Sequence, residues 1–358
     1  MCKIKQIPED FIVKEINDIK FDDNGIYSYF LLKKRNYNTL RAIKIISEKL
    51  KIPEKNIGFA GSKDKNAVTE QIISIKSGNK NIENMALKGI ELKFVGKGNG
   101  EVFLGSHIGN EFEIAIRNLA KKETANISKK IKNSGILMSN FFGPQRFSDN
   151  NAEIGKAVIK KDFKKAVELI IEANSDFKSE IIEHLEKRPN DFVVALKIIP
   201  LKLLKLYVHS YQSRLFNKAL EQCIKNNKTL SKNKNNNNAG NNNYNKNWGN
   251  NNNKAIGKIP LIGFGTEIDE IESEEIKKIM DEIMQEEKIT ERDFIIRQIP
   301  ELSQEGDERN AFIEVKDFKL LKQEKDELNK KKEKIIVKFS LPKGCYATVL
   351  IGFLLGQS

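Results

Sequence analysis

Two hydrophobic periods alternate along the chain, and the places where one gives way to the other divide it. Phe11 to Ile16 and Ile26 to Leu32 are strand-like runs, and Ala67 to Lys76 alternate with β-branched Val68, Thr69, Ile72, Ile73 and Ile75. Residues 111–117 (Glu-Phe-Glu-Ile-Ala-Ile-Arg) alternate cleanly and predict a strand with one wet face. Helical spacing governs 38–51, where Leu40, Ile43, Ser47 and Leu50 fall in step and Asn38 or Thr39 supplies a cap. A second helix is expected over 123–134. From about 151 to 300 the period is helical: Leu204, Val208, Tyr211 and Leu215 share a face, as do Ile276, Ile279 and Ile283. Strand patterns return at 311–315 and 334–339, and an apolar helix begins near Tyr346. The expected fold class is α/β (α+β). A discontinuous core with a mixed sheet, residues 1–150 and 301–358, would enclose an inserted helix-rich domain over 151–300.

One stretch of that insert follows neither period. Sixteen of the twenty-nine residues at 226–254 are asparagine. Such a tract buries too little apolar surface to offset its ordering entropy, so a disordered loop is expected there. Tyr244 and the single tryptophan, Trp248, lie inside it.

Charge adds a class of partner. Sixty-two Lys and Arg against forty-nine Asp and Glu leave a net charge of +13 over 358 residues. A surplus of that size favours polyanions through counterion release, without choosing among RNA, DNA and anionic membrane. Cys2, Cys223, Cys345, His107, His184 and His209 are scattered and lack metal-ligand spacing. The first residues hold no apolar signal core, and the longest apolar run, Tyr346 to Leu355, is about half a membrane span. A cytoplasmic protein with no membrane segment is expected.

Candidate chemistry concentrates at residues 58–71, Gly-Phe-Ala-Gly-Ser-Lys-Asp-Lys-Asn-Ala-Val-Thr-Glu-Gln. Gly58 and Gly61 allow a tight loop, Asp64 stands between Lys63 and Lys65, and a strand follows at once. An aspartate in such a turn commonly serves only the turn's own hydrogen bonds. Two further segments change the balance: 139–148, Ser-Asn-Phe-Phe-Gly-Pro-Gln-Arg-Phe-Ser, and 337–350, Val-Lys-Phe-Ser-Leu-Pro-Lys-Gly-Cys-Tyr-Ala-Thr-Val-Leu. With Pro-Glu-Asp-Phe-Ile-Val-Lys-Glu at 8–15, Asn-Thr at 38–39, Ser-Tyr-Gln-Ser-Arg-Leu-Phe-Asn at 210–217 and Glu-Gly-Asp-Glu-Arg-Asn at 305–310, the chain resembles the TruD family of tRNA pseudouridine synthases, in its archaeal type. The blocks run in the family's order from the first ten residues to the last ten.

That resemblance implies a pseudouridine-synthase core interrupted by the family's own inserted domain. It also implies an isomerase that turns a uridine of tRNA, at position 13, into pseudouridine with no cofactor and no metal. Broader specificity among RNAs, a non-catalytic RNA-binding protein and a nucleoside hydrolase are the competing readings. Asp64 matches the family's catalytic aspartate, and Lys63 and Lys65 would favour its charged form. Phe11, Asn140, Phe142 and Tyr346 would line the uridine site, with Asn140 reading a uracil edge. Lys5, Lys14 and Arg146 match the family more loosely, as phosphate or carboxylate partners. Core packing competes for Phe11 and Phe142, and surface solvation for the lysines. The expected partner is tRNA, with no obligate protein partner and a monomeric state.

Overall fold

The structure, a computed structural model, describes residues 2–76, 86–131, 136–173, 175–235 and 257–356. The chain opens with β1 (Phe11–Ile16), β2 (Tyr27–Arg35), α1 (Thr39–Leu50), β3 (Ile57–Phe59), β4 (Val68–Lys76), β5 (Ala86–Leu87), β6 (Ile90–Gly98), β7 (Gly109–Leu119) and α2 (Lys121–Ile131). A middle section follows with β8 (Leu137–Ser139), α3 (Asn151–Ile159), α4 (Phe163–Glu172), α5 (Lys178–Lys187), α6 (Phe192–Lys197), α7 (Leu201–Asn235), β9 (Lys258–Leu261), α8 (Glu274–Glu287), β10 (Asp307–Asn310) and β11 (Phe312–Glu314). It closes with β12 (Lys316–Lys325), β13 (Glu333–Pro342) and α9 (Ala347–Leu355).

Two compact units result, one of residues 1–136 with 314–358 and the other of residues 137–313. The sequence reading placed these divisions at 151 and 300. They fall earlier and later because β8 pairs with β11, and Asn140 N donates to Ala311 O at 2.8 Å. The Asn-Phe-Phe-Gly segment therefore belongs to the second unit.

The first unit is a mixed α/β structure on one sheet, in the order β12-β13-β7-β1-β4-β2-β6-β5 with β3 beside β4. Only β1 and β4 run parallel; the other pairs are antiparallel. α1 covers one face with Ala42, Ile43 and Ile46, against Phe30, Leu32, Ile73 and Ile75. Its cap is Asn38, whose Oδ1 accepts from Arg41 N at 2.7 Å, and this leaves the Thr39 hydroxyl free for other work. Leu40, expected on the buried face, is 51% exposed, because the apolar arc is centred on Ile43 and Ile46 instead. β12 (Lys-Asp-Phe-Lys-Leu-Leu-Lys-Gln-Glu-Lys) carried no strand signal. It is an edge strand, where lysines blunt the unpaired side and apolar alternation is not required.

Arg117 on β7 pins this sheet to the start of β1. The guanidinium is 3% exposed and donates to Asp10 at 2.7 Å, Asp326 at 2.9 Å and Glu327 at 2.9 Å. Removing one partner of a buried ion pair strands the other charges, at about 3–5 kcal/mol. Arg117→Met is therefore expected to lower unfolding free energy by about that amount in urea titration. A loss under about 1 kcal/mol would show the network to be solvated.

In the second unit α7 is the spine. Leu204, Val208, Tyr211 and Leu215 are buried along it, and α8 contributes Ile276, Ile279 and Ile283 to the same core. α3 lies so close that a Cβ on Gly155 would meet Tyr207 O at 2.0 Å. The helix continues to Asn235, so the loop expected from 226 does not begin there. Once a helix is nucleated, each added residue gains a backbone bond at little further cost, and Lys228, Leu230, Lys232 and Lys234 are good helix formers. Tyr244, Trp248 and the rest of the asparagine tract lie outside the described residues.

Candidate active site

The loop from Ala60 to Ala67 leaves the short strand β3 and returns as β4. Gly58 is required by close packing: a Cβ there would meet Val102 O at 2.2 Å. Gly61 is not, since its Cβ would find nothing nearer than His107 Cε1 at 3.7 Å. The loop is held from inside. Lys63 N donates to Thr39 Oγ1 at 2.9 Å, Thr39 Oγ1 to Gln71 Oε1 at 3.0 Å, and Gln71 Nε2 to Gly61 O at 3.1 Å. Lys34, 1% exposed, drives its ammonium beneath the same turn. It donates to Tyr37 O at 2.6 Å, Lys63 O at 3.2 Å and Asp64 O at 2.8 Å.

Consecutive side chains on this turn diverge. Lys63 goes inward to Glu15 Oε2 at 2.6 Å, with both side chains under a tenth exposed. Asp64 goes outward, 55% exposed, and its Oδ2 takes Lys5 Nζ at 2.8 Å. The Lys5 ammonium also stands 4.1 Å above the Phe11 ring, whose edge meets Phe112 at 6.0 Å between centroids. Asn66 Nδ2 bonds Lys5 O at 2.7 Å, which locks the Lys5 backbone in its left-handed conformation (φ 70°). The turn between β13 and α9, which carries Tyr346 at the helix cap, reaches this loop through an intermediary. Lys343 Nζ donates to Gly105 O at 2.9 Å, and Gly105 N to Ala60 O at 2.8 Å.

In the second unit, Asn140 is 4% exposed and its amide is engaged on both sides. Oδ1 accepts from Arg309 Nη2 at 2.6 Å, and Nδ2 donates to Asn310 O at 2.9 Å. Phe142 N donates to Asn217 Oδ1 at 2.9 Å, and Asn217 Nδ2 returns a bond to Phe142 O at 3.0 Å. The Phe142 ring meets Phe216 edge-on at 5.5 Å and lies 4.1 Å from the Arg309 guanidinium. Arg146 Nε donates to Ser213 Oγ at 3.3 Å, while its carbonyl accepts from Ser210 Oγ at 2.8 Å.

Comparison with known proteins decides what these features belong to. The family model described as tRNA pseudouridine synthase D (TruD) matches residues 1–181 and 172–352. A protein named probable tRNA pseudouridine synthase D from Thermococcus sibiricus is 33% identical over 97% of this chain and 93% of its own. The chain belongs to the TruD family. The tRNA pseudouridine synthase D of Aquifex aeolicus is 29% identical over 98% of this chain and 97% of its own. A crystal structure described as a TruD protein from Methanosarcina mazei superposes with TM-score 0.71 at 26% identity, over 99% of this chain and 93% of that one. TruD proteins are isomerases, and the mixed α/β fold seen here is the one they share.

Among the residues expected to serve a TruD site, the structure brings Asp64, Lys5 and Phe11 into one cluster. Lys63 was expected to keep Asp64 charged and instead pairs with Glu15, because a residue next to Asp64 on a tight turn faces the other way. Lys65 is exposed. Lys14 finds a carboxylate in Glu70 at 3.9 Å, across the β1–β4 pair and on the face of β1 opposite Phe11. In the 210–217 block, Ser210 and Ser213 reach Arg146, and Gln212 Nε2 bonds Ile262 O at 2.9 Å, so the block binds its own unit together. His209, read as an ordinary helix residue, bonds Gln304 Oε1 at 2.6 Å.

Lys34 was not singled out from sequence, and Thr39, Gln71 and Arg309 were quoted within the blocks without a role at the site. A usable signal did exist for Lys34: Phe30, Leu32 and Lys34 occupy alternate positions on the buried face of β2.

Proposed function

We propose that this TruD isomerase converts uridine 13 of tRNA to pseudouridine with Asp64 as its catalytic carboxylate. The observation that carries this reading is the mounting of Asp64: a carboxylate open to solvent on a turn whose own backbone is clamped by a buried ammonium. A general acid–base or nucleophilic group needs that combination of access and fixed position. The carboxylate either displaces uracil N1 from C1′ to form an ester, which C5 then breaks, or removes the C2′ proton as the N1–C1′ bond breaks and returns it as C5 adds. Uracil turns, C5 joins C1′, and the proton that C5 loses balances the one that N1 gains. No electrons leave the substrate and none are added.

Lys5 orients the carboxylate and offers a positive charge beside the ribose. Phe11 supplies an apolar floor under Lys5, and Tyr346 an aromatic edge at the α9 cap. The Phe142 ring is suited to stacking on an extruded base, a contact worth roughly 1–3 kcal/mol. Asn140 acts indirectly in this reading: its amide is committed to Arg309 and Asn310, so it sets the backbone that presents Phe142.

The direct test is to treat a pool of unmodified tRNA with the protein and map pseudouridine by sequence position. A single gain at position 13 is expected, undiminished by EDTA while the RNA stays folded. Pseudouridine at other positions or in other RNAs would favour the broader-specificity reading. With none formed anywhere, the isomerase assignment itself would fall. The logarithm of affinity should drop steeply and linearly with the logarithm of salt concentration, since phosphate contacts of a +13 chain release counterions.

A further inference from the structure

Of the four buried side-chain atoms in the first unit that have no hydrogen-bond partner, on Glu15, Thr69, His107 and Asn110, two line one cavity. Glu15 Oε1 is one; its side chain is 1% exposed, and only the other oxygen takes Lys63 Nζ. His107 Nδ1 is the second. The cavity, about 430 Å³, is also walled by Phe21, Tyr29, Ala60 and Glu101. That volume is within the range of small-ligand sites, roughly 300–1,000 Å³. Buried polar atoms are nearly always hydrogen-bonded, so two bare ones in one cavity point to something that fills it.

The polarity that this cavity selects for follows from the two atoms. Burial, then the charge of Lys63, holds His107 below its ordinary pKa, so the ring is neutral at pH 7. A neutral imidazole carries its proton on one nitrogen only; the Ala60 backbone, which favours a ring N–H, assigns that proton to Nε2 and leaves the unpartnered Nδ1 as the lone-pair acceptor. A carboxylate oxygen and an imidazole lone pair both require donors. Phe21 adds an aromatic surface: it is 60% exposed and meets Tyr29 edge-on at 6.0 Å.

Among RNA bases, guanine presents two adjacent donors, N1–H and the 2-amino group, on its Watson–Crick edge. Adenine and cytosine set a donor beside an acceptor, and uracil sets one donor between two acceptors. We propose that the cavity binds a guanine base of the RNA substrate, with these two groups donating to Glu15 and His107 and the ring lying against Phe21. This rests on the reading above that RNA is the substrate. Through Lys63 and Ala60 the guanine would bear on the Asp64 loop, so a correctly seated base would help to set it.

The test is nitrogen-15 NMR of histidine-labelled protein titrated with guanosine, inosine, uridine and an unmodified tRNA transcript. Guanosine is expected to move the His107 Nδ1 resonance saturably. Inosine lacks the 2-amino group and should bind about tenfold more weakly or worse. Uridine should leave the resonance in place. The transcript should reproduce the guanosine shift, and inosine at one of its guanosines should reverse it. His107→Phe and Glu15→Gln, checked for folding by melting temperature and read by equilibrium binding of the same nucleosides, should each weaken guanosine binding. The variant that loses the acceptor of the 2-amino group should bind guanosine and inosine alike.

A His107 resonance unmoved by guanosine and transcript alike, or moved equally by uridine, would overturn the proposal. A shift with free guanosine and none with any transcript would overturn its assignment to RNA. The readout needs no turnover, so its failure is distinct from a failure to form pseudouridine.

Discussion

Asp64→Asn is expected to reduce pseudouridine formation by about a thousandfold or more while tRNA affinity stays within a few-fold of the parent protein. Three decades correspond to roughly 4 kcal/mol of transition-state stabilisation, a loss typical of removing the one group that changes its bonding or proton count. Asparagine keeps the shape of the side chain and still accepts from Lys5 Nζ, now 2.8 Å away. The backbone bond from Lys34 to Asp64 O is untouched. Whatever is lost therefore belongs to the carboxylate's chemistry and not to the loop. Affinity comes from many phosphate contacts, and one neutralised carboxylate changes few of them. Single-turnover rates with saturating enzyme, beside equilibrium binding on the same preparation, separate the two quantities. A variant that still turns over near the parent rate would remove Asp64 from the chemistry. A parallel collapse of affinity would mean that Asp64 binds RNA instead.

Strands and helices that bury one face were readable in advance because burial imposes a period. β1, β4, α7 and α8 follow their alternation or helical spacing, and Asn38 announces the start of α1. β12 was unreadable for the converse reason: an edge strand with six charged residues in ten answers to solvent and not to a core. The unit boundary was misplaced because β8 and β11 are three residues each, too short to show a period, and their pairing joins segments over 170 residues apart.

At the site, Asp64 could be singled out by local residue type, but its surroundings could not. Lys5 is 59 positions away, and its ion pair depends on the parallel placement of β1 beside β4. Lys63 and Asp64 are neighbours in sequence and diverge in space, which defeats any inference from charge adjacency. Arg309 lies 169 residues from Asn140 and reaches it because β10 and β11 bring it there.

Lys34→Met should lower turnover by about 10- to 100-fold with little change in tRNA affinity, the size of effect that a displacement near 1 Å produces. The ammonium supplies three N–H groups to three carbonyls, two of them the backbone of Lys63 and Asp64. Burial, opposed by the nearby charge of Asp64 and aided by that of Lys63, pushes its pKa down from 10.5 to about 8. Above that pH the neutral amine has two N–H groups and turns a lone pair toward the third carbonyl, so the turn loosens. Turnover of the parent protein should accordingly decline as pH rises through about 8, and the methionine variant should lack that limb.

Stability should move the other way. With the folded pKa below the unfolded one, the unfolded chain holds the extra proton between about 8 and 10.5, and the contribution of this group to folding rises with pH across that window. Below about 8 both states are protonated and the burial penalty is constant. A lysine that only filled space would show the stability trend without the loss of turnover. Rate and urea midpoint measured over the same pH series in both proteins therefore distinguish a positioning role from a packing role. An alkaline limb that survives unchanged in Lys34→Met would assign it to another group.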